Sequence, residues 1–530
     1  MTSPDTEPTT RAAHVVLPNE RGGWWHEYVC PVHGTELLHD DMLGGTFPPA
    51  GVRCPHGCLL DTPAIRGAWT VLAHQACAVR IRDLALAGPD HDQQVLDVLT
   101  QWAELYAGLD SDHEGSQAWM LRGRLFHQAL TEAIWAVHIG RACWALRDRE
   151  VVLPTQVDAL LTGLVEAAAT ARETLLGQGR FTSNFVAWLD AAGAVCSRDE
   201  GWLTGDHGTY AHLRAAVLPD GWQWEASTYY HSFVLRACLV AIDGVPGAVV
   251  PDDVAERLAA MRRVLQDLRT GSGELPALHD GPYRRPGYDA ELAELDLAAD
   301  LPAGPATSVV VQPDGGYAVL RRPGLQAVVA FGPHGSSHGH FDTLSLLLYG
   351  DRSPFQADPG QVPYGHRYWR THYASTTAHP TFSIDGHDQE AGPGELISHD
   401  DTSVVVASAL AYPGVHATRS LRLTDAGLVD ELTVRCDRPH RIALHLRPVG
   451  GFRVTHHPNG VTTHWAGDGE HLVGEHEVTA PAEVLLRPGP GPADDPQRGV
   501  PHLDWVAVDS TDVTFRSTYR VVDGADATHR

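Results

Sequence analysis

The chain has 530 residues, with 39 Lys+Arg against 66 Asp+Glu and a formal charge of −27. That length calls for two large domains rather than one core, and the acidic balance excludes long-range attraction to nucleic acid or an anionic membrane. An anionic substrate is compatible only with a locally basic site, to be sought among the Arg clusters and the 32 His.

Residues 1–20 are polar and rich in Pro and Thr, and read as a disordered N-terminus. They hold no basic start followed by an apolar run, so no secretory signal is read. No stretch approaches the roughly 18–20 apolar residues of a membrane span. A soluble, cytoplasmic protein with no membrane and no nucleic-acid partner is the expectation, and a homodimer is a permitted assembly.

Residues 21–61 form a Cys/His-containing extension with little periodicity. Cys30-Pro-Val-His33 and Cys54-Pro-His-Gly-Cys58 are two chelating pairs that resemble a degenerate zinc ribbon. They are candidates for a second, structural Zn²⁺; the alternative is a remnant loop with plain thiols. Several of the remaining cysteines, such as Cys143 and Cys238, sit in apolar helical surroundings, which suits reduced, buried thiols.

From 62 to 304 the pattern is helical. Val157, Leu160, Leu161, Leu164, Val165 and Ala168 form one apolar stripe, and Phe126, Leu130, Ala133, Ile134 and Val137 another. Val254, Leu258, Met261, Val264, Leu265 and Leu268 form a third, with Asp252 or Asp253 placed to cap it after Pro251. Many helices joined by Gly- and Pro-containing loops predict a helical toroid or solenoid. From 305 to 530 the grammar is β: Ser308–Val311, Tyr317–Leu320, Gln326–Phe331, Leu344–Leu348, Thr381–Ile384, Val404–Val406, Leu421–Leu423, Leu432–Val434 and Ile442–Leu446 are short runs split by turns. The fold class is α+β multidomain, with helices first and an antiparallel sandwich second and a cleft between them.

Three constellations carry chemistry. The densest is His338-Gly-His340-Phe-Asp342, followed by Asp358-Pro-Gly, Tyr364-Gly-His-Arg367-Tyr-Trp-Arg370 and Ala-His379-Pro. On a strand, His338 and His340 would share one face. Two imidazoles, a carboxylate from the next strand and a third His make a Zn²⁺ shell, although His-x-His also occurs on ordinary exposed strands. The second is Asp220-Gly-Trp-Gln-Trp-Glu225-Ala-Ser-Thr-Tyr229-Tyr230-His231, whose bland reading is a helix start with aromatic packing. The third is Phe181-Thr-Ser-Asn184-Phe185, where Ser183 or Asn184 also suits a plain N-cap.

In order and spacing these segments resemble the heparinase II/III-like and oligo-alginate lyase families of polysaccharide lyases over most of the chain. The matching pieces are the Asn184 segment, the Asp220-Gly…Glu225…Tyr-Tyr block, His338-Gly-His340-x-Asp342, Asp358-Pro-Gly and Arg370…Ala-His379-x-Thr…Asp385-Gly…Gln389. Tyr28-Val-Cys30-Pro-x-His33-Gly also looks like an N-terminal element of some members. The resemblance implies an incomplete (α/α) toroid followed by an antiparallel β-sandwich, in agreement with the periodicity. It further implies cleavage of a uronic-acid-containing glycan by β-elimination. Tyr230 would be the catalytic Tyr, with Tyr229 the alternative. Asn184 would bind the uronate carboxylate, and His338 would neutralise it or transfer a proton. His340, Asp358 and His379 would hold Zn²⁺ near the active site. Glu225, His231, Tyr364, Arg367 and Arg370 are candidate substrate contacts. Two positions depart from the pattern: Phe185 stands where many relatives carry His, and Pro380 where they usually carry Asn.

In β-elimination a base removes the C5 proton, an acid protonates the leaving O4, and the enolate charge must be stabilised. A phenol has a pKa of about 10, so a basic Tyr230 requires neighbouring positive charge from Arg or His. With Phe185 in place of a second imidazole, Tyr230 is expected to serve as both base and acid. That demands H5 and O4 on one face of the ring, as in glucuronate or mannuronate. The metal is expected to be structural, ordering the loop that carries His338. Two rivals stand beside this reading. One is a glycoside hydrolase using Glu225 and Asp342; the other is an inactive glycan-binding homologue, which Phe185 favours.

Overall fold

The computed structural model describes residues 15–39, 42–110, 112–285, 288–293, 295, 308–458 and 460–522. Of the N-terminus expected to be disordered, residues 1–14 lie outside the described residues. Val15–Glu20 are ordered: Val15 is buried, the Val16 amide donates to the Leu43 carbonyl, and the Thr70 hydroxyl donates to Glu20. A single apolar residue seated in the core outweighs the polar composition around it. Among the described residues no helix is long and apolar enough to cross a membrane.

The chain divides into two compact units. The first takes residues 1–30, 37–209 and 239–248, and the second 31–36, 210–238 and 249–530. Among the described residues the last helix before the strands of this part ends at Ala293 and the first of those strands begins at Ser308, yet the helical segments within 210–238 and 249–293 belong with the strands.

In the first unit, strands β1 (Val52–Arg53) and β2 (Leu59–Leu60) form a small hairpin. Helices α1 (Pro63–Ala87), α2 (Asp92–Gly108), α3 (Ala129–Arg147), α4 (Thr155–Gly177), α5 (Asn184–Ser197) and α6 (Gly201–Thr204) follow. Thr62 caps α1 by accepting from the Ile65 amide at 3.2 Å, with Pro63 at the first helical position. α1, α3 and α5 pack in succession as one layer, while α2 packs on α4. α5 is buried all round from Asn184 to Cys196, whereas α2 buries only one stripe. This alternation of buried and half-buried helices is the layering of an (α/α) toroid.

The second unit includes α7 (Thr209–Ala216) from Tyr210, the Thr228–Cys238 part of α8 (Thr228–Asp243), α9 (Asp252–Leu268) and α10 (Tyr288–Ala293). The predicted stripe of α9 is buried throughout; Pro251 occupies its cap position, and Asp252 and Asp253 begin the helix itself. Strands β3 (Ser308–Gln312), β4 (Tyr317–Arg322), β5 (Leu325–Ala330), β6 (Leu346–Tyr349) and β7 (Pro354–Gln356) form a five-stranded antiparallel sheet in chain order. Helix α11 (Arg367–Ala374) follows. The remaining strands are β8 (Phe382–Ile384), β9 (Glu395–His399), β10 (Ser403–Ser408), β11 (Val415–Thr424), β12 (Gly427–Leu446), β13 (Gly451–His457), β14 (Gly460–Ala466), β15 (His471–Val478), β16 (Ala482–Gly489) and β17 (Val500–Val522). They form a ten-stranded sheet in which β12 and β17 are the long central pair. The two runs read at Leu432–Val434 and Ile442–Leu446 are one strand, β12, with register shifts between Arg435 and Ile442.

Alternate side chains of the small sheet, Leu320, Val329, Leu346 and Leu348, meet Val406, Leu421, Leu432 and Leu444 of the large one. Its other face, through Val319, Val328 and Leu347, is covered by Trp222, Val264, Leu268 and Leu278. Burial on both faces is why β5 is buried at every position, with Gln326, its one polar residue, donating to the Leu268 carbonyl. It is also why 210–238 and 249–285 join this unit. Trp222 Nε1 donates to Gln312 Oε1 at 2.6 Å, and the Tyr317 hydroxyl to the Ala226 carbonyl at 2.8 Å. Inside the sandwich, Arg419 is fully buried and forms a fork onto Asp430, at 2.8 and 2.7 Å.

Candidate active site and metal centre

Five segments of the second unit converge. They are the start of α8 with Tyr229 and Tyr230, the turn after α9 with His279 and Asp280, the β5–β6 loop with His338 and His340, the chain after β7 with Asp358, Gln361 and Tyr364, and α11 with Arg370. His338 and His340 do not lie on a strand. His338 ends a 3₁₀ turn, Ser336–His338, that follows Gly335 and Ser336 in left-handed backbone. A Cβ on Gly339 would overlap the His334 carbonyl oxygen, so only glycine fits between the two imidazoles. Because the loop turns there, His338 lies on Tyr230 and His340 faces His379, while both rings reach the Asp280 carboxylate.

The His338 ring lies on the Tyr230 ring, with centroids 3.6 Å apart and planes at 22°. The Tyr230 hydroxyl is 2.6 Å from that of Tyr364. Tyr364 in turn donates to Asp280 Oδ2 at 2.7 Å, and His338 Nδ1 is 2.9 Å from the same oxygen. Arg370 spans both Asp280 oxygens at 3.2 Å and lies over the Tyr364 ring at 3.8 Å. Burial opposes the charge on Asp280. Hydrogen bonds from His338 and His340, with the charge of Arg370, nevertheless hold its carboxyl well below the usual carboxylate range. Burial, followed by the negative charge of Asp280, pushes the Tyr230 phenol well above its ordinary range. This reverses the expected lowering of Tyr230. Arg370, one of the cations that could have lowered it, is paired with Asp280, whose charge adds to the effect of burial.

Ligand atoms of His340, Asp358 and His379 all lie within 4.8 Å of one another, and all three residues are buried. His340 Nδ1 is 3.1 Å from His379 Nε2. His379 Nδ1 faces the Ser375 carbonyl at 2.8 Å, and His340 Nε2 faces Asp280 Oδ1 at 3.3 Å. Each ring thus spends its proton outward, and two lone pairs confront one another. Burial lowers both imidazoles, His379 to about 3, so a shared proton does not relieve the contact. Asp358 Oδ2 is buried without a hydrogen-bond partner, and burial with the nearby charge of Asp342 raises its carboxyl well above the usual range. A cation answers all three features. Zn–N bonds of ~2.0–2.1 Å at a tetrahedral angle separate two nitrogens by about 3.3 Å, close to the spacing here. The residues present therefore fit a metal ion.

Ligand atoms of Cys30, His33, Cys54 and Cys58 likewise lie within 4.8 Å of one another. The His56 amide donates to Cys54 Sγ at 3.2 Å, and Gly57 takes a left-handed φ of 89° in the tight turn between the paired strands β1 and β2. No cysteine of the chain is disulfide-bonded.

The other predicted residues separate by environment. Tyr229 packs against Phe233, Tyr288 and Arg285 rather than against His338. Glu225 is buried, with Oε1 at 3.6 Å from His338 Nε2. His231 is fully buried: Nδ1 receives the Gln223 amide and Nε2 faces the Met261 carbonyl, so its ring packs the core rather than lining the site. Arg367 is exposed at the start of α11. Asn184 is a residue of the first unit, buried at the first position of α5, and Ser183 is the N-cap. Asp342 is buried and faces His279 Nε2 at 3.3 Å, which removes the second carboxylate that the hydrolase reading requires. Sequence reasoning missed Asp280, Gln361 and His279. The one signal for the first was the polar His279-Asp280-Gly281 turn directly after Ala277-Leu278.

Residues 304–489 match the family described as heparinase II/III-like, C-terminal. An alginate lyase of Stenotrophomonas maltophilia (strain K279a) is 27% identical, in an alignment covering 68% of this chain and 60% of that protein. The chain therefore spans less than two thirds of that relative. A crystal structure of heparinase III has a TM-score of 0.69 at 14% identity, over 97% of this chain and 88% of that one. The heparan sulfate lyase HepC of Pedobacter heparinus has a TM-score of 0.60 at 13% identity, over 88% and 78%. These two likenesses are of fold: a helical N-terminal part followed by an antiparallel β part.

Proposed function

We propose, from the premise that the chain belongs through residues 304–489 to the heparinase II/III-like family, that it is a polysaccharide lyase acting on a uronic-acid-containing glycan by β-elimination. The observation that carries this reading is the stack of Tyr230 on His338, with both groups linked to Asp280.

The hydrogen-bond directions divide the work. Asp280 is an acceptor, so the Tyr364 hydroxyl donates to Asp280 Oδ2 and the Tyr230 hydroxyl donates to the Tyr364 oxygen. Burial and the charge of Asp280 keep the Tyr230 phenol protonated, the form required of the acid that protonates O4 as the C4–O4 bond breaks. His338 directs Nδ1–H at Asp280 and keeps the lone pair on Nε2, which takes the C5 proton. The imidazolium so formed faces Glu225 Oε1 and returns the proton to the phenolate, so the cycle balances. Tyr364, Arg367 and Arg370 are the further substrate contacts, Arg370 while paired with Asp280. Base and acid stand side by side, so both protons are handled on one ring face, which selects a syn-configured uronate.

His340, Asp358 and His379 would hold Zn²⁺, and Cys30, His33, Cys54 and Cys58 would hold a second; imidazole, carboxylate and thiolate are the usual Zn²⁺ donors. Bound there, each ion supplies structural cross-linking rather than Lewis acidity. A cytoplasmic location, with imported oligosaccharides as substrate, fits the reading.

The test is a panel of uronate oligosaccharides followed by near-ultraviolet absorbance. A lyase leaves a C4–C5 double bond that absorbs there. Cleavage without that absorbance would mean hydrolysis, and binding without cleavage would mean an inactive homologue.

A further inference from the structure

We propose that Asp280 is a positioning residue that joins the metal centre to the proton-transfer pair; its catalytic arm rests on the lyase reading above, its metal arm does not. The Asp280 side chain is 1% exposed, and its two oxygens are divided between two tasks. Oδ1 faces His340 Nε2 at 3.3 Å and receives Gln361 Nε2 at 3.1 Å. Oδ2 receives the Tyr364 hydroxyl at 2.7 Å and faces His338 Nδ1 at 2.9 Å. Arg370 closes the remaining edge on both oxygens.

One acceptor-only group therefore sets three proton positions. It draws the His340 proton to Nε2 and leaves Nδ1 for a cation, the arrangement in which a carboxylate orients a metal-binding imidazole. It draws the His338 proton to Nδ1 and leaves Nε2 for substrate. It takes the Tyr364 proton, so Tyr364 must accept from Tyr230. The carboxylate is planar and rigid, so a rotation that serves one oxygen displaces the other. The backbone is strapped to the same loops: the Asp280 amide donates to the His338 carbonyl, and the Gln361 amide to the Gly281 carbonyl. His279, just before it, takes a left-handed φ of 56°, a conformation held only where the surroundings over-determine it.

The experiment uses the full chain and Zn²⁺ as probe, with chelator competition for affinity and absorbance for turnover. Asp280→Asn keeps the shape but sets an amide N–H₂ against at least one donor. The expected results are a Zn²⁺ affinity about 10–100-fold weaker, and a kcat at least about tenfold lower even at saturating Zn²⁺, with KM within about twofold. Tyr364→Phe cuts only the phenol arm, so it should lower kcat and leave Zn²⁺ affinity unchanged. Unaltered Zn²⁺ affinity in Asp280→Asn, or full recovery of kcat at saturating Zn²⁺, overturns the link. Should Asp280→Asn not fold, wild-type kcat in Tyr364→Phe overturns it equally. If the wild-type protein yields no unsaturated product from any uronate, the lyase reading fails, while the Zn²⁺ measurement still decides the metal arm.

Discussion

The imidazole of His338 lies flat on the phenol of Tyr230, 3.6 Å between centroids, although one ring comes from a loop of the β part and the other from a helix. The contact distinguishes two adjacent tyrosines, since Tyr230 lies on His338 and Tyr229 packs elsewhere. Tyr230→Phe should lower kcat by roughly 10²–10⁴-fold with KM little changed. Tyr229→Phe, which alters a ring packed on Phe233 and Tyr288, should cost a few-fold at most. Steady-state absorbance assays check both; equal losses would move the acid to Tyr229 or to neither.

Side-by-side proton transfer has a stereochemical consequence. Glucuronate- or mannuronate-type substrates, with H5 and O4 on one face, should be turned over and their C5 epimers spared. Paired oligosaccharides that differ only at C5 provide the measurement. Preference for iduronate or guluronate would require a base on the ring face opposite to His338 and Tyr230.

Metal analysis of the purified protein should give two Zn²⁺ per chain. His379→Ala should remove one, and Cys54→Ser with Cys58→Ser the other, because the two ligand sets share no residue. Elemental analysis of each variant reads the result directly. Loss of both ions in either variant would mean that the centres are not independent.

Stability should fall in the mildly acidic range. Burial lowers His231 and His445 to about 4 from the ordinary 6.5. Above 6.5 both are neutral folded or unfolded. Between 6.5 and 4 the unfolded chain takes up protons that the fold refuses, so each residue costs stability as pH falls, up to about 3 kcal/mol. Denaturant midpoints measured from pH 7 to pH 4 should decline across that window, and a flat profile down to 4.5 would contradict the buried environments.

The Arg419–Asp430 fork is enclosed in the sandwich, with side chains 0% and 2% exposed. Asp430→Ala leaves a buried guanidinium without its carboxylate and should cost about 3–5 kcal/mol. Denaturant unfolding checks this, and the activity of each folded molecule should be unchanged.

Periodicity alone determined the order of helices and strands, because Val254 to Leu268 and Leu325 to Ala330 are apolar in rhythms that only a helix face or a buried strand satisfies. That His340, Asp358 and His379 gather in space was legible for a related reason: few residue types ligate Zn²⁺, and their order carried a family likeness. Asp280 was not legible, since one carboxylate in a short turn looks like any solvated loop residue until six donor atoms close around it. Nor could sequence give the direction of the Tyr230 shift, which follows first from burial of the phenol and then from the charge of Asp280. Local pattern fixes elements because each needs only its own neighbours; charge and proton placement are sums over groups that meet only when the chain has folded.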